Sequence, residues 1–241
     1  PTPPPAWVVT DDAAIDTELG ILKSGKEADV FLLERATAER SSVLAAKRYR
    51  SHTDRMFHRD ATYTEGRIQR RTRDRRAVAK SSRYGRRVES ASWAAAEFAH
   101  LSTFWSAGLP VPYPVQLNDA ELLMEFVTLE GPGTDGTGAP RLAQCRPGPD
   151  LVAHYFAQLR SAMIAMAGCG LAHGDLSPYN VLATGERIVI IDLPQAVDVA
   201  ANPSGMEFLA RDCRNVCRWF VARGLEVDAD ALLAELVAAV Y

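Results

Sequence analysis

Four cysteines among 241 residues, Cys145, Cys169, Cys213 and Cys217, are too few and too irregularly spaced to build a framework, with no Cys-x-x-Cys and no matching His pair. Neither a zinc site nor a disulfide scaffold is expected, and reduced thiols of the cytoplasmic kind are. Cys213 and Cys217 are four apart, so they share a helix face as small hydrophobes. Also missing is any apolar run near the ~18 residues that a bilayer span needs. Pro1 to Trp7 has neither the basic start nor the apolar stretch of a signal peptide. A cytoplasmic location and no membrane contact follow as expectations. Net charge is low as well, −3 at pH 7, but it is unevenly spread. From Arg48 to Arg87 fourteen basic residues face four acids, so this segment carries +10 and the remainder −13.

What is present is enough apolar sequence, 47%, to fill one large core or two smaller lobes. Residues 1–19 read as a Pro-rich, partly acidic lead-in. Gly20 to Leu33 reads as two strands about a turn at Ser24-Gly25-Lys26-Glu27, and Val43 to Lys47 as a third strand. The basic stretch 48–87 lacks large aliphatic residues and a helical period, so it reads as a flexible insertion. A helix is predicted from about Ser90 to Ala107, because Trp93, Phe98, Leu101, Phe104 and Trp105 make one apolar stripe. Gly108, Pro110 and Pro112 end it. A hairpin over 115–126 turns at Asn118-Asp119, and the Gly/Pro-rich run 130–140 is the clearest linker. The organisation expected is a first lobe over 20–127 and a second over 128–241, with helices at about 150–168, 204–221 and 228–241.

One stretch carries the chemistry. His173-Gly174-Asp175-Leu176-Ser177-Pro178-Tyr179-Asn180 is followed by two short apolar segments about Thr184-Gly185-Glu186-Arg187 and then by Ile191-Asp192. An aspartate, an asparagine five residues on and a second aspartate after a hairpin are the parts a phosphotransferase needs. Asp175 reaches an acceptor hydroxyl, while Asn180 and Asp192 hold the metal ions that neutralise the ATP phosphates. The other parts have candidates too. Ser24, Gly25 and Lys26 form a tight turn whose amides suit phosphates. Lys47 ends a strand, where a phosphate-binding cation belongs, and Glu97 is the acid placed to fix it. Met124, Glu125 and Val127, at a strand end before the linker, suit a hinge for adenine. His173 is expected to pack or cap the loop. Ser177 either hydrogen-bonds near the phosphates or caps the turn. The cofactors expected are ATP with Mg2+ or Mn2+.

These residues resemble the RIO family of atypical protein kinases, in the branch without an N-terminal winged helix, over about Ile21 to Phe220. Ser24-Gly25-Lys26-Glu27-Ala28-Asp29-Val30 is similar to that family's Ser-Thr-Gly-Lys-Glu-Ala-Asn-Val loop. Trp93 to Pro112 resembles its pairing helix and exit, Leu122 to Phe126 its hinge, and Asp175 to Asn180 its Asp-Leu-Ser-x-Tyr-Asn loop. Met206 to Val216 is similar to a C-terminal helix of the branch. The resemblance implies an α+β bilobal kinase-like fold, a small β-rich lobe with one pairing helix and a mostly helical second lobe. It also implies serine phosphorylation of a protein or of the chain itself, or slow ATPase turnover, and transient phosphorylation of Asp192. Pro194 departs from the family's usual Ser, which removes a hydroxyl beside Asp192.

Gly174 stands where kinases carry Arg, and the gap from Asp192 to Ser204 is too short for the usual activation segment. Switching by loop phosphorylation is therefore not expected. Two other classes fit some of the residues. A small-molecule kinase of the aminoglycoside or choline type shares His-Gly-Asp, but only 66 residues follow Asp175 to build its acceptor pocket. A weakly active ATP-binding scaffold would look the same in sequence. The basic stretch 48–87 is either a solvated loop or a dock for RNA or an acidic partner.

Overall fold

The computed structural model describes residues 1–50 and 83–241, so most of the basic stretch 48–87 lies outside the described residues. The chain forms two compact units, Pro1–Thr103 with Pro112–Gly138, and Phe104–Val111 with Ala139–Tyr241.

The first unit is built on five antiparallel strands: β1 (Ile15–Ser24), β2 (Ala28–Ala36), β3 (Ser41–Tyr49), β4 (Pro114–Asn118) and β5 (Glu121–Glu125), in the order β1-β2-β3-β5-β4. The run Val43-Leu44-Ala45-Ala46 is apolar without alternation because β3 is covered on both faces. Leu33, Leu44, Ala46 and Leu123 cluster with Trp7 from the N-terminal segment, while Val43, Ala45 and Phe126 cluster with Val30, Leu32 and Met124. β1 begins at Ile15, inside the expected lead-in. Its acids looked like a solvated approach, yet they form ion pairs across strands: Asp16 with Arg35 at 2.7 Å and Glu18 with Arg48 at 2.6 Å.

Helix α1 (Arg83–Ser106) starts before the predicted Ser90, since its first turns carry no apolar stripe to mark them. Trp93, Leu101 and Phe104 are buried as expected, and Phe98 and Trp105 are half-buried. Trp93 packs with Ala28, Tyr49 and Ala94. The Gly/Pro-rich run 130–140 belongs to the first unit as far as Gly138, and Ala139 opens the second. Val43 N–H donates to Gly133 O at 3.1 Å, Gly131 N–H donates to Thr128 Oγ1 at 3.1 Å, and Thr128 bridges Gly138. Those bonds fasten a Gly-rich loop that composition alone marks as free.

In the second unit, α2 (Pro149–Gly168) packs on α4 (Ala229–Val240), which packs on α3 (Gly205–Val221). Val152, Tyr155, Leu159, Ala162, Met163 and Met166 make the buried face of α2. Phe220 of α3 makes edge contacts with Phe156 at 5.1 Å and Trp219 at 4.8 Å. Cys213 and Cys217 are buried in α3 as free thiols, and burial pushes the Cys213 thiol up to about 12. The short strands β6 (Leu171–Ala172) and β9 (Val197–Asp198) pair antiparallel, as do β7 (Val181–Thr184) and β8 (Arg187–Ile190). β9 brings the chain after Asp192 straight back beside β6, leaving no activation segment before α3. Among the described residues no helix is long and apolar enough to cross a membrane.

Candidate active site

The loop after β6 is held from below by Asp212 of α3. That carboxylate is 1% exposed and accepts from Gly174 N–H and Leu176 N–H, each at 2.8 Å. Burial pushes its carboxyl up to about 6, against the two backbone donors that favour the charged form. Gly174 sits at φ 82, a left-handed conformation that an Arg there would adopt only with strain. Its carbonyl accepts from Arg211, and Leu176 O accepts from Asn215 Nδ2 at 3.3 Å. α3 therefore grips the loop through three polar side chains on one helix face.

His173 closes the loop from the other side. Its Nε2 pairs with Ile191 O at 3.0 Å and its Nδ1 accepts from Asp175 N–H at 3.3 Å. It is 2% exposed and packs against the loop as expected. Ser177 starts the 3-10 turn Pro178–Asn180 without a side-chain capping bond. Asn180 Nδ2 donates to Asp175 O at 2.9 Å, and Asn180 O accepts from Ile191 N–H at 2.9 Å. Asn180 is thus tied directly to the Asp175 backbone and to Ile191, the residue before Asp192. Asp175 is exposed, Asn180 buried, and Asp192 takes φ 68, uncommon for any residue but glycine. Helix α2 steadies the β7–β8 hairpin between the last two: Gln158 donates to Glu186 O at 2.7 Å and accepts from Ile188 N–H at 3.2 Å, and Tyr155 O–H donates to Gly185 O.

The remaining site candidates lie in the first unit. Lys47 Nζ meets Glu97 Oε1 at 2.9 Å, with both residues buried. α1 also contains Glu89, yet the lysine pairs with Glu97. Tyr49 O–H donates to the other Glu97 oxygen, and Lys47 Nζ lies 5.1 Å from the Tyr49 ring centre. The Ser24-Gly25-Lys26 turn joins β1 to β2, closed by Gly25 N–H to Ala28 O at 3.0 Å. A Cβ at Gly25 would meet that same carbonyl at 2.9 Å, so the turn needs glycine. Met124 and Glu125 finish β5, where Glu125 N–H donates to Tyr113 O at 2.9 Å, and Val127 follows, buried, beyond the ladder.

Asn180 and Asp192 offer amide and carboxylate oxygen, hard donors that suit Mg2+. With Nδ2 engaged by Asp175 O, Oδ1 is the Asn180 atom suited to a metal ion. Among the described residues no group of three or more His, Cys, Asp or Glu is placed to hold a metal ion. Asp212, Tyr49 and the Asp29–Arg50 pair were not singled out as site residues from the sequence. Asp212 stood within the motif similar to the C-terminal helix, but nothing in its local pattern separates it from a solvated acid.

The family model for the RIO domain (RIO1) matches residues 31–232. The RIO-type serine/threonine-protein kinase Rio1 of Haloferax volcanii is 33% identical over 227 residues, covering 94% of this chain and 71% of that protein. Serine/threonine-protein kinase RIO1 of Caenorhabditis elegans is 32% identical, with 90% of this chain matched. Serine/threonine-protein kinase RIO3 of Bos taurus is 28% identical, with 91% matched. The chain spans only 40% and 41% of those two animal proteins. Among solved structures, the Rio2 kinase–ADP/Mg2+–phosphoaspartate complex from Chaetomium thermophilum aligns with a TM-score of 0.59 at 21% identity, covering 92% of this chain and 65% of that one. That likeness shows the fold, a bilobal kinase-like one.

Proposed function

We propose, from the premise that this chain belongs to the RIO family of atypical serine/threonine protein kinases, that it transfers the ATP γ-phosphoryl group to a serine hydroxyl, on a protein acceptor or on itself, and also turns over slowly as an ATPase. The observation that carries the reading is that Asn180 is bonded to the Asp175 backbone and to Ile191, the residue before Asp192. The exposed Asp175 orients and deprotonates the acceptor hydroxyl. Lys47, fixed by Glu97, would supply the cation for the phosphates, and the Ser24-Gly25-Lys26 turn would offer them backbone N–H groups. Met124, Glu125 and Val127 receive the adenine through backbone groups. Asn180 and Asp192 bind Mg2+, which supplies charge neutralisation on the phosphates. Most of the acceleration is positioning and charge stabilisation.

The small-molecule kinase alternative is not favoured, because the matched relatives are protein kinases over most of this chain. The structurally similar Rio2 complex contains phosphoaspartate, and the same chemistry at Asp192 is a second product to look for. The +10 segment 48–87 is a solvated loop on the plainer reading; on the sharper one it is assigned to RNA or an acidic partner, through Arg contacts that weaken steeply as salt rises. Salt-insensitive binding would remove that assignment. The deciding experiment incubates the protein with γ-labelled ATP and Mg2+, beside Asp175→Ala and Asp192→Asn. Acid-stable label on serine, lost in both variants, is expected. Acid-labile label points to Asp192 itself, label only in free phosphate to an ATPase, and label on an added amino alcohol or sugar would overturn the reading.

A further inference from the structure

Arg50, at the end of β3, holds the β1–β2 turn at both ends. Its backbone N–H donates to Glu27 O at 2.8 Å. Its guanidinium donates through Nε to Asp29 Oδ2 at 2.7 Å, and through Nη2 to Asp29 Oδ1 at 2.5 Å and to Ser24 Oγ at 2.8 Å. Ser24 Oγ donates in turn to Asp29 Oδ1 at 2.7 Å. Arg50 is itself moored, since its carbonyl accepts from the buried Ser90 of α1 at 3.0 Å. From this geometry we infer that Arg50 is a positioning residue that latches the nucleotide turn to helix α1, so that the helix fixing Lys47 through Glu97 also sets where the turn lies.

The residue types fit that task. A planar guanidinium needs two carboxylate oxygens for fork-like pairing, and Asp29 supplies them where the similar family loop has an amide. Arg50 and Ser24 beside it hold the Asp29 carboxyl below the usual carboxylate range, so the pair stays charged at neutral pH. The side chains are 48% and 19% exposed, which makes an isolated pair of this kind weak. Its effect on the turn comes from four bonds that converge on one short segment, whose freedom is the quantity at stake. Arg35 and Asp16 make a comparable pair on the same sheet, away from the turn, and serve as the control.

The inference rests on the proposed nucleotide role of this turn, so the test reads the latch and its use separately. Backbone hydrogen exchange over residues 25–28 without nucleotide reads the latch. Calorimetric Mg·ATP affinity, with KM and kcat, reads its use. Arg50→Ala is expected to speed exchange and to raise the Mg·ATP Kd and KM about fivefold, the equivalent of one exposed, bidentate pair, with kcat changed less. Arg50→Lys recovers part of both effects, and Arg35→Ala produces neither. Unchanged exchange in Arg50→Ala, or the same acceleration in Arg35→Ala, overturns the latch. Faster exchange with unaltered Mg·ATP affinity overturns the positioning role. Failure of the wild-type protein to bind Mg·ATP would overturn the proposed function and the positioning role with it, while the exchange result still decides the latch.

Discussion

Lys47 and Glu97 are 8% and 1% exposed, so each stabilises the other against a desolvation cost that neither meets alone. Lys47→Ala leaves a buried carboxylate with Tyr49 as its neutral donor, and should cost about 3 kcal/mol of stability together with ATP turnover. The double variant Lys47→Met, Glu97→Leu removes both charges and fills the space. It should recover most of the stability in urea unfolding while turnover stays lost, and recovery of turnover would show that the pair is structural only. Asp212 yields a prediction of a different kind. Its folded value of about 6 lies above the ordinary 3.8, so the folded protein binds this proton more tightly than the unfolded chain. The contribution is fully present below about pH 4 and is lost as pH rises through about 6. Compared with Asp212→Asn, the wild type should therefore lose roughly 3 kcal/mol across that window. Urea unfolding at a series of pH values checks it, and a difference that is flat or grows with pH would contradict it.

Among the elements, the β7–β8 hairpin and the entry to α3 set the site. Gln158 of α2 grips the hairpin turn from both sides, by its bonds to Glu186 O and Ile188 N–H. Gln158→Ala should leave the fold standing but raise the Mg2+ needed for half-maximal turnover about tenfold, as loss of a group supporting metal ligands does. An unchanged Mg2+ requirement would assign Gln158 to hairpin stability alone. At the start of α3, a Cβ on Gly205 would run into the Val199 backbone carbonyl. Gly205→Ala should therefore lower stability by about 3 kcal/mol, a fall in Tm of about 6–12 °C by thermal unfolding. The hairpin was legible in sequence because its signal is local: two apolar runs, a Gly turn and a fixed spacing from Asn180 to Asp192. Lys47 with Glu97 was legible because the apolar run Val43–Ala46 closes on a lysine and Glu97 is the one acid within the predicted helix 90–107. Asp212 was not. Its partners Gly174 and Leu176 lie 38 and 36 residues away, and an acid on an Arg-rich helix carries no periodic mark. Arg50 was hidden likewise among thirteen neighbouring bases, and β1 was half hidden because its alternating acids resemble a solvated lead-in.

At the scale of the molecule, the residues outside the basic segment carry a net −13, a sign that disfavours a polyanion such as a nucleotide. On the proposed function, binding then depends on the cations assigned to it, Lys26, Lys47 and the divalent ion. Anything that binds the folded state and not the unfolded one raises stability by mass action, about 2.7 kcal/mol at a hundredfold excess over Kd. For a domain of this size that is a rise in Tm of about 5–10 °C. Mg·ATP should produce it, while ATP with EDTA should produce little, because the Asp192 carboxylate would then repel the phosphates with no divalent charge to offset it. Asp192→Asn should keep a larger share of the EDTA shift than the wild type, since it removes that repulsion, and should lose most of the gain that Mg2+ adds. Thermal unfolding with and without EDTA separates these cases. Equal shifts in both conditions for the wild-type protein would mean that the nucleotide is held without the metal, and would remove Asn180 and Asp192 from the role assigned to them.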